Sequence, residues 1–253
     1  MTQGRVSNLI GLLPILALIL LWSAVVAADV APRALLPSPW DVAARTATAL
    51  GDHAFLSHIG TTLFRLVSGF AIGLAVGLVL ALISISGRAT QTVVNAFVRI
   101  LAPLPKIALY PAIILILGFG HSSKIALVAI EAAFPVYLAA YQGMRNVDEK
   151  LVWVARSAGA SPWQSLLFVI LPAAAPSILT GARIAMIISC IVVFLAEMMS
   201  STEGLGYLLI DAARNFRTLD MFVPIVLISA LGLGLGGAFA WGRGRLLSGY
   251  PQA

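Results

Sequence analysis

Six stretches of this chain are each about as long as a bilayer is thick, and they decide almost everything it can become. A spanning helix needs about 20 largely apolar residues. The stretches are 9–28, 63–84, 99–118, 125–144, 177–197 and 221–241. They are continuous rather than alternating, which favours helices over a strand barrel. With 60% hydrophobic and only 10% charged residues among 253, no soluble core could bury the excess. That excludes a soluble enzyme and a disordered tail. One cysteine, Cys190, leaves no intramolecular disulfide and no multi-cysteine metal site. The predicted fold class is an all-α membrane protein with six transmembrane helices.

The third stretch is interrupted by Pro103, Pro105 and Pro111 and holds Lys106 near one end. The first could be read as a signal peptide, since Arg5 precedes it and Val26, Ala27 and Ala28 are small. Its 20 residues exceed the usual apolar core of such a segment, about 7–15, so a retained helix is expected. Lys and Arg distribution sets orientation. With the N-terminus inside, inner segments hold Arg5, Arg88, Arg99, Arg145, Lys150, Arg156, Arg243 and Arg245. Outer segments hold Arg33, Arg45, Lys124, Arg214 and Arg217. Both termini are therefore predicted on the cytoplasmic side. The net charge of +6 then reports basic inner loops, not a nucleic-acid partner.

Two connections are long, 29–60 outside and 145–176 inside, and 198–220 outside is moderately long. In the first, 40–50 is helix-compatible. The inner loop reads as helix, sharp turn, helix. Asp148 can cap a helix over 149–158. Gly159 suits a left-handed cap, where a side chain would be costly. Ser161, Pro162 and Gln164 then form a capping box, and the second helix is expected to stop at Leu171-Pro172. Small residues Ala155, Ala158, Gly159 and Ala160 let another backbone come close. A packed connector and a docking element both fit this pattern.

The run Ala155-Arg156-Ser157-Ala158-Gly159-Ala160-Ser161, the downstream Leu171-Pro172 and Gly181-Ala182-Arg183 resemble the EAA loop of ABC importer permeases. Ala196-Glu197, Gly204-Leu205-Gly206-Tyr207-Leu208, and 105–120 with Lys124 are similar to the subgroup that imports sulfonates, taurine, nitrate and some vitamin precursors. The resemblance covers about 57–241. It implies a type I ABC importer permease core of five helices at 57–241. An added helix and outer loop would lie at 1–56 and a tail at 242–253. It implies partners too: ABC ATPase subunits holding MgATP, a periplasmic solute-binding protein and a second permease copy, within lipid. No cofactor is expected in this chain, which has no P-loop sequence, and no enzyme activity. By carry-over, Ala155, Arg156, Gly159 and Ala160, with Ser161 beside them, would contact the ATPase. The family's acidic position is Trp153 here, a plausible apolar anchor, with Glu149 one turn earlier. The cargo implied is an organic or inorganic anion, with thiamine- or riboflavin-type precursors as the alternative. A stand-alone secondary transporter is the runner-up class.

Other features carry less. Gly69, Gly73 and Gly77 recur every four residues, a stripe for tight helix packing within the chain. Gly232 to Gly237 matches G-x-G-x-x-G, but no strand precedes it, so a dinucleotide site is excluded and packing is expected. His53, His58 and His121 lack metal-site spacing. Glu131, Arg183 and Glu197 are charges in or near spans and are the candidates for a translocation path. Lys106 and Arg183 are expected near the cytoplasmic boundary. On this reading Glu131→Gln changes uptake more than membrane abundance, measured side by side. Equal losses in both would make Glu131 a structural pair.

Overall fold

The computed structural model describes residues 3–30, 32 and 34–247, with side chains from residue 13 onward. The described residues form helices joined by turns, and no strand. Helix α1 runs Gln3–Ala27, so the stretch 9–28 lies partly outside the described side chains. Helix α2, Pro39–Ala49, begins where Ser38 caps it and Pro39 fills the first turn.

Helix α3, His53–Ile85, has 33 residues, about 50 Å at 1.5 Å per residue. Asp52 caps it by accepting a bond from the Ala54 amide at 2.9 Å. This helix starts ten residues earlier than the apolar stretch suggests. Residues 53–60, expected in an outer loop, are its first two turns, because a cap sets a helix start and hydropathy does not.

Helix α4, Arg88–Leu101, and helix α5, Tyr110–Leu117, meet at a bend of 84°, with a 3-10 turn at Lys106–Leu109 leading into α5. The expected single span at 99–118 is therefore corrected: the helical segment begins at Arg88 and folds over in its middle. Pro103 and Pro105 remove amide donors and bias their predecessors away from helix. Pro111 breaks nothing, since it stands in the first turn of α5 where no donor is needed.

Helix α6, His121–Arg145, and helix α10, Ala175–Ser200, run the length of the bundle. Between them lie α7, Glu149–Ser157, α8, Pro162–Ser165, and α9, Leu171–Ala173. This is the loop end of the bundle. Helix α11, Leu205–Arg214, lies at the far end and leads into α12, Thr218–Leu246. Among the described residues four helices, α3, α6, α10 and α12, are long and apolar enough to cross a membrane, or five counting the bent α4–α5 pair.

Helix α6 is the spine. A Cβ on Gly69 would sit 2.6 Å from Val128, on Gly73 2.6 Å from the Ala129 carbonyl, and on Gly77 2.6 Å from the Ala133 carbonyl. The glycine stripe thus lays α3 against α6 backbone to backbone. On the other side, Gly181 of α10 faces Ala139 and the Pro135 carbonyl, and Gly143 faces Ser177. Such contact replaces the hydrophobic drive that lipid removes. The buried core follows α6: Leu66, Leu127 and Val193 at the far end, Phe70, Ala132 and Ala185 in the middle, and Tyr137, Ala140 and Leu166 at the loop end. Helix α12 is held at one face only, touching α2, α10 and α11. Its glycines behave differently from the stripe on α3. Among the described residues of this chain nothing lies within 4 Å of a Cβ built on Gly232 or Gly236, so the expected packing is not made within the chain.

Gly73→Ala is expected to destabilise the detergent-solubilised protein by about 1–3 kcal/mol through overpacking, seen as a lower thermal midpoint. Gly232→Ala, with open space around it, should leave the midpoint unchanged or raise it. Equal midpoints for both variants would contradict the backbone-contact account.

Candidate functional site

At the loop end, helix α7 finishes as the sequence predicts. The Ala160 amide donates to Ala155 at 3.0 Å and the Gly159 amide to Arg156 at 2.9 Å, with Gly159 at φ +88°. This is a Schellman turn, and its left-handed residue is glycine because a side chain there is strained. Space is not the reason: nothing lies within 4 Å of a Cβ at Gly159. The capping box also forms, with the Ser161 amide donating to Gln164 Oε1 at 2.8 Å and the Gln164 amide to Ser161 Oγ at 3.3 Å.

One expectation fails here. The second helix does not stop at Leu171-Pro172 but continues from Pro162 to Ala173 through a π turn at Leu166–Ile170. The Leu171 amide reaches back five residues to Leu166. The widened turn carries the chain past Pro172, which has no amide proton to offer.

Trp153, Ala155, Arg156, Gly159, Ala160 and Ser161 thus share one protruding corner. Trp153 is 61% exposed and Trp163, just across the turn, 64%. Leu166 and Ala174 from the same segment are buried with Tyr137 and Tyr141 of α6. Below them a polar cluster ties α4 to α6. Tyr137 donates to Asn95 Oδ1 at 2.7 Å, and the Gln91 amide donates to the Tyr141 hydroxyl at 2.6 Å. The corner is therefore exposed at its tip and bonded into the bundle at its base.

The three charged candidates do not meet. No hydrogen bond or ion pair joins any two of Glu131, Arg183 and Glu197 among the described residues. Glu131 lies ten residues into α6, near its middle, 3.5 Å from Lys106. Lys106 also stands 4.3 Å over the Phe134 ring. So Lys106 sits at mid-bundle in the bend between α4 and α5, not near the boundary where snorkelling would put it. Arg183 is exposed in a groove between α10 and α12.

Glu197 is fully buried at the far end. It accepts from Arg65 at 2.8 Å, from Thr62 at 2.9 Å and from the Gly206 amide at 3.1 Å. Arg65, 3% exposed, donates in turn to the Glu203 carbonyl at 2.9 Å and to His121 Nδ1 at 3.1 Å. The Gly204 amide donates to His58 Nδ1 at 3.0 Å, and the Leu205 amide to Thr62 at 2.9 Å. Buried Lys124 donates to the carbonyls of Phe119, Gly120 and Ser200. The turn 200–206 is therefore held on every side by side chains from α3, α6 and α10.

Gly204 and Gly206 are required there. Gly204 has φ +102°, and a Cβ on it would run into the Glu197 carboxylate. A Cβ on Gly206 would strike the Phe194 carbonyl. The carboxylate also sits against the start of α11, where free amides favour a negative charge. Sequence reasoning missed Arg65, Thr62, His58 and Lys124 as partners. The available signal was that Arg65 and Glu197 lie at the same end of neighbouring spans, and a charge in lipid needs a partner. His58 and His121 each bond separately, and the described residues hold no metal-ligating group of three.

Comparisons with known proteins agree with one another. Residues 69–241 match the family described as binding-protein-dependent transport system inner membrane component. The protein named as aliphatic sulfonates transport permease SsuC of Bacillus subtilis strain 168 is 32% identical over 222 residues, 88% of this chain and 80% of that relative. The protein named SsuC of Escherichia coli K12 is 34% identical over 198 residues, 78% of this chain and 75% of its own length. Among solved structures, an inward-facing form of the MetNI methionine ABC transporter has a similar fold. It superposes at TM-score 0.59 with 22% identity, covering 76% of this chain and 92% of that one.

The far-end network predicts a double-mutant result. Arg65→Met alone leaves the buried Glu197 carboxylate without its cation and should cost about 3–5 kcal/mol, and Glu197→Met alone should cost less, because the Glu203 carboxylate stays 3.8 Å from Arg65. The pair Arg65→Met with Glu197→Met should cost less than the two single losses added, read from thermal midpoints in detergent. Strict additivity would mean that the two side chains do not act on each other.

Proposed function

Because this chain belongs to the family of binding-protein-dependent transport system inner membrane components, we propose that it carries a small organic anion of the sulfonate class through the inner membrane, pushed at its loop end by a partner ATPase. It is a permease subunit of an ABC importer for small solutes, and its family works with ATPase and solute-binding partners. In our reading MgATP is held by the ATPase alone, the chain makes and breaks no covalent bond, and two copies pair in the lipid. The termini and the loop end face the cytoplasm, and the far end faces the solute-binding protein.

The observation that carries the coupling role is the Gly159 corner, with Trp153 and Trp163 standing out of it. Exposed tryptophans on a soluble-facing tip suit a protein groove, where large aromatic side chains supply much of the binding energy. Trp153 replaces the family's acid, so the contact here is apolar where relatives would place a charge. Arg156, in the last turn of α7, offers the positive end of the surface.

The corner is also built to transmit force. Its tip is one short turn from Leu166, which is packed into α6, and the same helix continues to Ala173 before α10 begins. A push on Gly159 therefore moves α6 and α10 together. At the opposite end, the Arg65–Glu197 network ties those same two helices to α3. In this arrangement Glu197 is a brace for the bundle. The Glu131–Lys106 pair, at the bend of α4 and α5, is a contact that can part when the bundle changes shape.

Gly159→Asp is expected to leave the chain in the membrane but lower its recovery of the ATPase by about five- to thirtyfold, since left-handed backbone costs a non-glycine residue about 1–2 kcal/mol. Trp153→Ala should weaken recovery as well. Gly234→Ala should not, because its surroundings are open. The assay is affinity capture from native membranes in mild detergent followed by mass spectrometry. A parent chain that brings down no ATPase, under conditions that hold a known complex together, would overturn the coupling role of this corner.

A further inference from the structure

The cations carried into the bundle are treated in two ways. Arg65, Lys106 and Lys124 each meet a carboxylate or backbone carbonyls. Arg183 makes no hydrogen bond or ion pair with any described residue. It lies eight residues past the start of α10, about 12 Å along the helix. A guanidinium opening on apolar side chains of a spanning helix calls for a counter-ion or water.

The space beside it is shaped to take one. Arg183 opens on a groove of about 600 Å³ between α10 and α12. That volume falls within the range of small-molecule sites, about 300–1,000 Å³. Ile187, Ile191 and Phe194 form one wall, and Ile228, Ser229 and Gly232 stand on the other. The side of the α12 helix facing it is kept low by glycine: a Cβ on Gly232 or Gly236 would touch nothing within 4 Å. The groove thus has one fixed positive charge, apolar walls and room left by missing side chains.

We propose that this groove is the station at which the solute rests inside the membrane, its anionic head on Arg183 and its short aliphatic body along the isoleucine wall. This rests on the importer reading and adds to it the residue that selects charge. The geometry suits an organic monoanion with an apolar tail better than a fully polar inorganic ion, because most of the lining offers no hydrogen bond. It also places the site on the helix that the loop drives. The segment Pro162–Ala173 feeds directly into α10, so movement of the Gly159 corner shifts one wall of the groove against the other. Glu131, which pairs with Lys106 elsewhere, adds no negative charge to the groove.

The test is uptake of radiolabelled ethanesulfonate by the complete complex, permease with its ATPase and solute-binding protein, in proteoliposomes. Arg183→Gln should lower uptake by about ten- to a hundredfold, the loss expected of a charged hydrogen bond. Recovery of the assembled complex should match that of the parent. Arg183→Lys should fall between the two, retaining the charge but losing the planar fork. Gly232→Leu, which fills the groove without touching the charge, should block uptake while the complex still assembles.

Unchanged uptake in Arg183→Gln overturns the proposal. So does a loss of uptake matched by an equal loss of assembled complex, which would make Arg183 a contact between copies. A change only in the phospholipid retained, seen by native mass spectrometry, would assign the groove to lipid and overturn it too. A parent complex that hydrolyses ATP but takes up no sulfonate overturns this proposal and leaves the importer standing. A parent that binds no ATPase overturns the coupling role beneath it.

Discussion

Backbone-to-backbone contact along α6 is what the remaining structure leans on. In lipid, two apolar helices gain little by hiding from their surroundings, since the surroundings are apolar too. What holds them is close packing, and that requires small residues where the axes approach. Gly69, Gly73 and Gly77 of α3 meet α6 on one flank, and Gly181 of α10 meets it on the other. Because α6 is fixed on both sides, the side chains it carries can be placed accurately at three depths.

Those three depths do different work. At the far end, Lys124 and its neighbours Arg65 and Glu197 form a buried network that saturates the turn before α11. At the loop end, Tyr137 and Tyr141 bind α4 through Asn95 and Gln91. Between them, Glu131 meets Lys106 at 3.5 Å, too long for a hydrogen bond of ordinary strength. The two ends are thus heavily bonded and the middle lightly so. The light contact coincides with the bend where Pro103 and Pro105 interrupt the helix. A bundle that must change shape without coming apart is well served by rigid ends and one loosely bonded hinge.

What α6, α3 and α10 do not cover defines the surfaces left for other molecules. One is the Gly159 corner with its two exposed tryptophans. Another is the face of α12 and the groove it shares with α10. Glycine has opposite uses in the two places where it is dense. On α3 it removes side chains so that another helix can move in. On α12 it removes them and, among the described residues, nothing moves in, which leaves a groove beside Arg183.

Local features of this protein were legible residue by residue. Apolar runs gave the class and most of the spans, and the Asp148, Gly159, Ser161 and Gln164 pattern gave the loop, because caps and left-handed turns depend on neighbours within about five residues. Where a helix meets a proline, local reading was divided. Pro111 begins a helix, Pro103 and Pro105 end one, and Pro172 is passed by a π turn, since the outcome depends on which carbonyls lie nearby in space. Partnership was legible only as a need. Glu197 could be seen to need a partner, but only folding brings Arg65 to it across 132 positions of chain. The same holds for the two glycine stripes, alike in spacing and opposite in role. The sequence by itself determined that the chain is built of apolar helices and how the Gly159 turn is capped, because those are settled by solvent and by short-range geometry. Only the tertiary structure decided which charges are neutralised and which arginine stays free, because that depends on helices that approach from far along the chain.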